Sequence, residues 1–212
     1  MRLLVPLLAA FPALAQDIGA IATLEREVIL IERSAGNPTH VFGLTLAYLK
    51  DTGWSREQIL PAVSQALDIL AQCGLGPGRV ELLLVSAPER YRDFLTLSAR
   101  EFARTLSLPK PAVIFVAGTR QRPAFDAEAI GRSNSRTRPE LAGTVWVTRG
   151  TRDLGIALAH ELAHVLMDSG EHTDEPDNLM GDETAPGNTR LSALQCTRLR
   201  ETGTANSLLR PR

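Results

Sequence analysis

The chain has 212 residues, 44% of them hydrophobic and 22% charged, and a formal net charge of -1. A charge so close to neutral gives no footprint for nucleic acid or for an anionic membrane surface. The length suits one domain with a real core, although two would fit, and one is expected.

Residues 1–15 read as a cleavable secretory signal. Arg2 opens the segment, an apolar run follows over 3–14, and Ala13-Leu14-Ala15 supplies the small-x-small ending. The run stops at Gln16 and Asp17, short of the roughly 20 apolar residues that an anchor needs. The mature domain is therefore placed at 16–212, in a secreted or periplasmic location, with no later segment long enough for stable membrane insertion. Cys73 and Cys196 are the only cysteines. In an exported chain an even count suggests one disulfide between them, with two free thiols as the alternative.

The apolar run V-I-L-I within 27–32, followed by Ser34-Ala35-Gly36-Asn37-Pro38, predicts a strand ending in a turn. Alternation of Phe42, Leu44, Leu46 and Tyr48 predicts a second strand pairing back on the first, though residues 44–50 also read as helical. Ser55 with Gln58 forms a capping-box signature for a helix that carries Pro61 early and ends near Gly74. Residues 80–85 and 112–117 read as strands, with a charged helical segment around Arg92 and Glu101 between them. Residues 118–143 form the longest irregular stretch, read as a solvated loop or as the rim of a substrate cleft. A short strand at 144–148 then leads into the histidine segment, and 191–200 reads as a last helix carrying Cys196.

Three of the four histidines, His160, His164 and His172, fall in one short segment, H-E-L-A-H-V-L-M-D-S-G-E-H. A helix over about 153–167, capped by Thr151 or Asp153, puts Leu158, Leu162, Val165 and Leu166 on one face. His160 and His164 lie nearly opposite, and the small Ala157 beside them leaves room for a metal. Glu161 is adjacent to the histidine face, where it can act as general base without being a ligand. Catalytic zinc uses three protein ligands and keeps one position open. The third is assigned to His172, after a Gly170 able to turn the chain back, with Glu171, Asp168 and Asp174 as alternatives.

H-E-L-A-H, a downstream Gly and His, and Asn178-Leu179-Met180 together resemble the metzincin clan of zinc metallopeptidases, whose pattern is H-E-x-x-H-x-x-G-x-x-H followed by a Met-containing turn. The resemblance implies an α+β fold: a mixed twisted β-sheet, an active-site helix, a Met-turn at Met180 and a C-terminal helix. It also implies that Thr144, Val145, Trp146 and Val147 form an edge strand that pairs with an extended substrate. Two departures stand out. Met167 occupies the position of the pattern's Gly, and His172 comes two residues later than the pattern's third His. The helix is accordingly expected to run longer before it turns.

The expected protein is an exported, monomeric zinc endopeptidase acting on a protein or peptide substrate, with Zn2+ held by His160, His164 and His172. A non-catalytic secreted zinc protein and a zinc amidase acting on cell-wall substrates are the alternatives. A Cys73 thiolate masking the zinc is a further, minor one.

Overall fold

The computed structural model describes residues 20–31, 37–120, 130–132, 138–182 and 184–212. The signal segment at 1–15, the turn at 34–36 and most of the 118–143 loop lie outside the described residues.

The chain begins with β1 (Ala22–Ile29) and β2 (His40–Leu49), followed by α1 (Arg56–Ala71) and β3 (Leu75–Ser86). Next come β4 (Asp93–Phe94), α2 (Thr96–Leu106), β5 (Ala112–Phe115), β6 (Gly118–Thr119), β7 (Ile130–Arg132) and β8 (Thr144–Val147). The last elements are α3 (Leu154–Met167), α4 (Ala193–Ala205) and β9 (Arg210–Pro211). The main sheet runs β1-β3-β2-β5-β8-β7, with β9 paired to the start of β2, while β4 and β6 form a separate pair. Strands β3, β2, β5 and β8 are mutually parallel, and the outer strands β1 and β7 are antiparallel to their neighbours.

The second strand does not pair back on the first, contrary to the sequence expectation. β1 pairs with β3, and β2 lies inside the sheet between β3 and β5. The cause is the α1 crossover, which returns the chain parallel to β2 and so places β3 beside it. The alternating pattern of β2 reflects two covered faces, not a polar face and an apolar one. Leu44 and Leu46 enter a core with α1, α3 and α4, whereas Ala47 and Leu49 enter a second core with Ala99 and Phe102 of α2. The same alternation recurs at Val113 and Phe115 against Ile114, and at Val145 and Val147 against Trp146.

The start and end of α1 follow the local signals. Ser55 and Gln58 form the capping box, with the Ser55 N–H donating to Gln58 Oε1 at 3.2 Å. Gly74 takes φ +73, and a Cβ there would stand 2.7 Å from Thr39 Oγ1, so only glycine makes this turn without strain. Cys73 and Cys196 form the expected disulfide, joining the end of α1 to the first turn of α4. With Cys73 so bonded, no thiolate is left to mask a metal. The Gln72 side-chain amide extends the same seam by donating to Thr189 O at 2.8 Å and accepting from Leu191 N–H at 2.8 Å. Among the described residues, no helix is long and apolar enough to cross a membrane.

Candidate metal centre

The helix that carries the site lies deep in the molecule. Leu154 and Glu161 are the only residues of α3 that are not buried. Its histidine face is therefore enclosed as fully as its leucine face, the condition of a helix that is apolar nearly all round. α3 packs on α1 at Gly155, where an added Cβ would stand 2.8 Å from Gln65 Cβ. The helix starts at Asp153, as expected, but no side chain caps it.

The far end of α3 departs from expectation in an informative way. Asp168, not Gly170, adopts the left-handed conformation that ends the helix, with φ 48, and Gly170 is absent from the positive-φ residues. Asp is among the few residues that visit this region readily. Its N–H donates to Val165 O at 3.4 Å, and the Ser169 N–H donates to His164 O at 3.2 Å. The chain thus turns one residue beyond the position of the metzincin glycine, and the two extra residues before His172 take up the difference.

This turn brings His172 onto the other two histidines. The Nε2 atoms of His160 and His164 are 2.9 Å apart, those of His164 and His172 3.1 Å, and those of His172 and His160 3.3 Å. Each Nδ1 faces an acceptor. His160 Nδ1 donates to Leu179 O at 2.6 Å, His164 Nδ1 donates to Ser169 O at 2.6 Å, and His172 Nδ1 lies 2.7 Å from Asp182 Oδ1. A carbonyl can only accept, so His160 and His164 carry their protons on Nδ1 and turn their Nε2 lone pairs inward. Acceptors placed behind metal-binding histidines in this way fix the tautomer and the orientation of each ring.

Burial pushes the His160 imidazole below its ordinary range, and the nearby His172 adds to the effect. The His164 imidazole is pushed down to about 4, first by burial and then by His160 beside it. Both rings are neutral at neutral pH. Three convergent lone pairs repel one another unless a cation sits among them. Three nitrogens at about 2.0–2.1 Å from one centre in tetrahedral geometry stand roughly 3.3–3.4 Å apart, close to the spacing seen here. The three imidazoles form the one group of three donors, among the described residues, that could hold an ion.

The alternative third ligands lie elsewhere. Glu171 accepts from Arg198 Nη1 at 2.6 Å and from Ser169 Oγ at 3.2 Å. Arg198 first, and then Ser169, hold its carboxyl below the usual carboxylate range. Asp168 and Asp174 are not part of the donor group that the three histidines form. Glu161 follows His160 directly on α3 and is half-buried. Met180 is 1% exposed, within a turn that the Gly181 N–H closes by donating to Asn178 O at 3.2 Å.

Thr144, Val145, Trp146 and Val147 are buried and do not form an edge strand. β7 pairs antiparallel along β8, with Ile130 opposite Trp146 and Arg132 opposite Thr144. Along 144–146 the strand is therefore paired on both sides, by β5 and by β7, and is no open edge there.

Two supporting residues, Asp182 and Gln195, escaped the sequence reading, as did the part that Asn178 plays within its turn. Asp182 orients His172 and has no local signature. Asn178 and Gln195 exchange paired amide hydrogen bonds, both at 3.1 Å, and Asn178 Oδ1 also accepts from Met180 N–H at 2.9 Å. This clamp holds the Leu179 carbonyl against His160. Gln195 could have been flagged, because it completes a capping box with Ser192 at the start of α4.

No protein-family model and no curated protein matches the chain. A crystal structure of metalloproteinase-II from Bacteroides fragilis is similar over 81% of this chain, with a TM-score of 0.54 and 21% identity. The chain has a metalloproteinase-like fold. It spans 56% of the length of that neighbour, so the likeness concerns the shared fold alone.

Proposed function

We propose that this protein is an exported zinc-dependent endopeptidase related to the metzincins, with His160, His164 and His172 as ligands and Glu161 as general base. The observation that carries this reading is the convergence of three Nε2 atoms within 3.3 Å, beside a half-buried glutamate on the same helix. All-nitrogen donor sets suit zinc, and three protein donors leave a position open for chemistry, whereas a structural site closes with four.

When bound there, zinc supplies Lewis acidity, lowering the pKa of a water at the centre to about 7 and polarising the scissile carbonyl. The protein's own groups do the rest. Glu161 takes the proton from the attacking water and delivers it to the leaving amine nitrogen. The buried carbonyls of Leu179 and Ser169 hold two imidazoles in the ligating tautomer, and Asp182 holds the third. Met180 and its neighbours form the Met-turn of this reading, clamped by Asn178 and Gln195. The last strand of the sheet among the described residues is β7, and its outer edge takes the extended substrate by antiparallel pairing. The signal-like segment at 1–15 directs the chain out of the cytoplasm.

The test is a digest of a broad peptide library with metal-loaded wild type and Glu161→Gln. Cleavage by the wild type, lost in a variant that keeps its metal, supports the assignment. A Glu161→Gln protein with full activity would refute it.

A further inference from the structure

A cavity of about 280 Å³ opens beside the histidine cluster, with Met167, Met180, Leu194, His172, Glu171 and Arg198 in its wall. His172 belongs to both the cavity and the donor set, so the two are contiguous. The chain has three methionines. Apart from Met1, both of them line this cavity, one from the end of α3 and the other from the 178–181 turn. Both are buried, whereas Leu194, on the first turn of α4, is 78% exposed. The cavity thus has a methionine floor and an uncovered leucine at its rim.

The polar groups of the wall are engaged with one another. Arg198 Nη1 donates to Glu171 Oε2 at 2.6 Å, and Ser169 Oγ donates to the same oxygen at 3.2 Å. The Gln195 amide is taken up by Asn178 and by Ser192 N–H. The charges of Glu171 and Arg198 cancel, so the wall offers no uncompensated partner to a charged side chain. Methionine is flexible and polarizable and adapts to apolar groups of different outline. A cavity of this size accommodates a leucine, methionine or phenylalanine side chain.

The geometry points to this cavity as the subsite for one uncharged apolar side chain of the peptide substrate, within a few residues of the bond that is cut. This rests on the peptidase reading above. Leu194 is a specificity-determining residue in that subsite: its side chain completes the apolar rim, and a charge in its place reverses what the mouth attracts.

The experiment scans metal-loaded wild type against peptide sets that vary one position at a time around the cleavage site. It compares Leu194→Asp and, as a control, Leu97→Asp, which alters a leucine of α2 that is 73% exposed and lies outside the cavity. Wild type and Leu97→Asp should favour Leu, Met or Phe over Asp at one position by at least about tenfold, the scale on which apolar pockets discriminate. Leu194→Asp should keep its metal content, lose about tenfold in kcat/KM for the preferred peptides, and gain in relative terms on Lys or Arg at that position. A flat wild-type profile, or an unchanged profile in Leu194→Asp, overturns the subsite and leaves the peptidase reading standing. A metal-loaded wild type inert to every peptide overturns both.

Discussion

Asp182 offers the sharpest test of how the centre is built, because the other two histidines are oriented by backbone carbonyls that no side-chain substitution removes. In Asp182→Ala, the acceptor 2.7 Å from His172 Nδ1 is lost. Losing the acceptor behind a ligating imidazole generally lowers metal affinity by about 10- to 100-fold. The Asp182 side chain is 80% exposed, and solvent can partly replace it, so the low end applies: about tenfold weaker zinc binding. Asp182→Asn keeps an oxygen acceptor without the charge and should fall between Ala and wild type. The assay is competition for zinc against a chromophoric chelator at fixed pH, with Asp174→Ala as an exposed-carboxylate control. Thermal unfolding of the zinc-free variants should be unchanged, because the carboxylate is at the surface. If Asp182→Ala bound zinc within twofold of wild type while His172→Ala lost it by a hundredfold, Asp182 would have no part in orienting the ligand.

Acid should destabilise the metal-free protein. The folded state holds His164 down near 4 against an ordinary 6.5, so between those values the unfolded chain binds more protons and stability falls as pH drops. Two and a half units correspond to roughly 3 kcal/mol. Urea unfolding of chelator-treated protein at pH 7.5 and 4.5 should show most of that loss, and a smaller one in His164→Gln; no difference between the two proteins would contradict it. Asn178→Ala removes the clamp from a site 3% exposed and strands the Met180 N–H. It should lower stability by about 2–3 kcal/mol and weaken zinc binding as well, and an unaltered zinc affinity would separate the clamp from His160. Gly155→Ala forces α3 away from Gln65 of α1, and overpacking of this kind costs about 1–3 kcal/mol, visible as a lower Tm. The cysteines are 123 residues apart in sequence, and in the chain-entropy model a loop of that length makes Cys196→Ser less stable by up to about 5 kcal/mol. A urea midpoint unaffected by reductant would show that the bond contributes nothing.

The parts of the molecule set by local chemistry were legible in the sequence. His160 and His164 four residues apart on a helix, the Ser55 capping box and the Gly74 turn each depend on neighbours a few positions away. The cysteine pair was legible from its count. Strand partners were not, because alternation in β2 shows that two faces differ without showing that both are covered. The same limit misplaced the edge. Residues 144–147 look like a strand, but only the fold reveals that β7 lies outside them. Gly170 was a natural choice for the turn, since glycine carries no steric penalty at positive φ, yet the hydrogen bonds at the end of α3 recruit Asp168. Asp182 could not be found from its neighbours, because its role is defined by a contact across a turn.

The Cys73–Cys196 bond also determines what a cut chain would look like. The whole histidine segment, and the irregular stretch before β8, lie between the two cysteines in sequence. A single backbone break anywhere in that interval leaves both pieces covalently joined. A nicked molecule would therefore keep the mass of the intact one, plus a water, until reductant is added. Purity judged on a non-reducing gel would count nicked and unbroken chains alike.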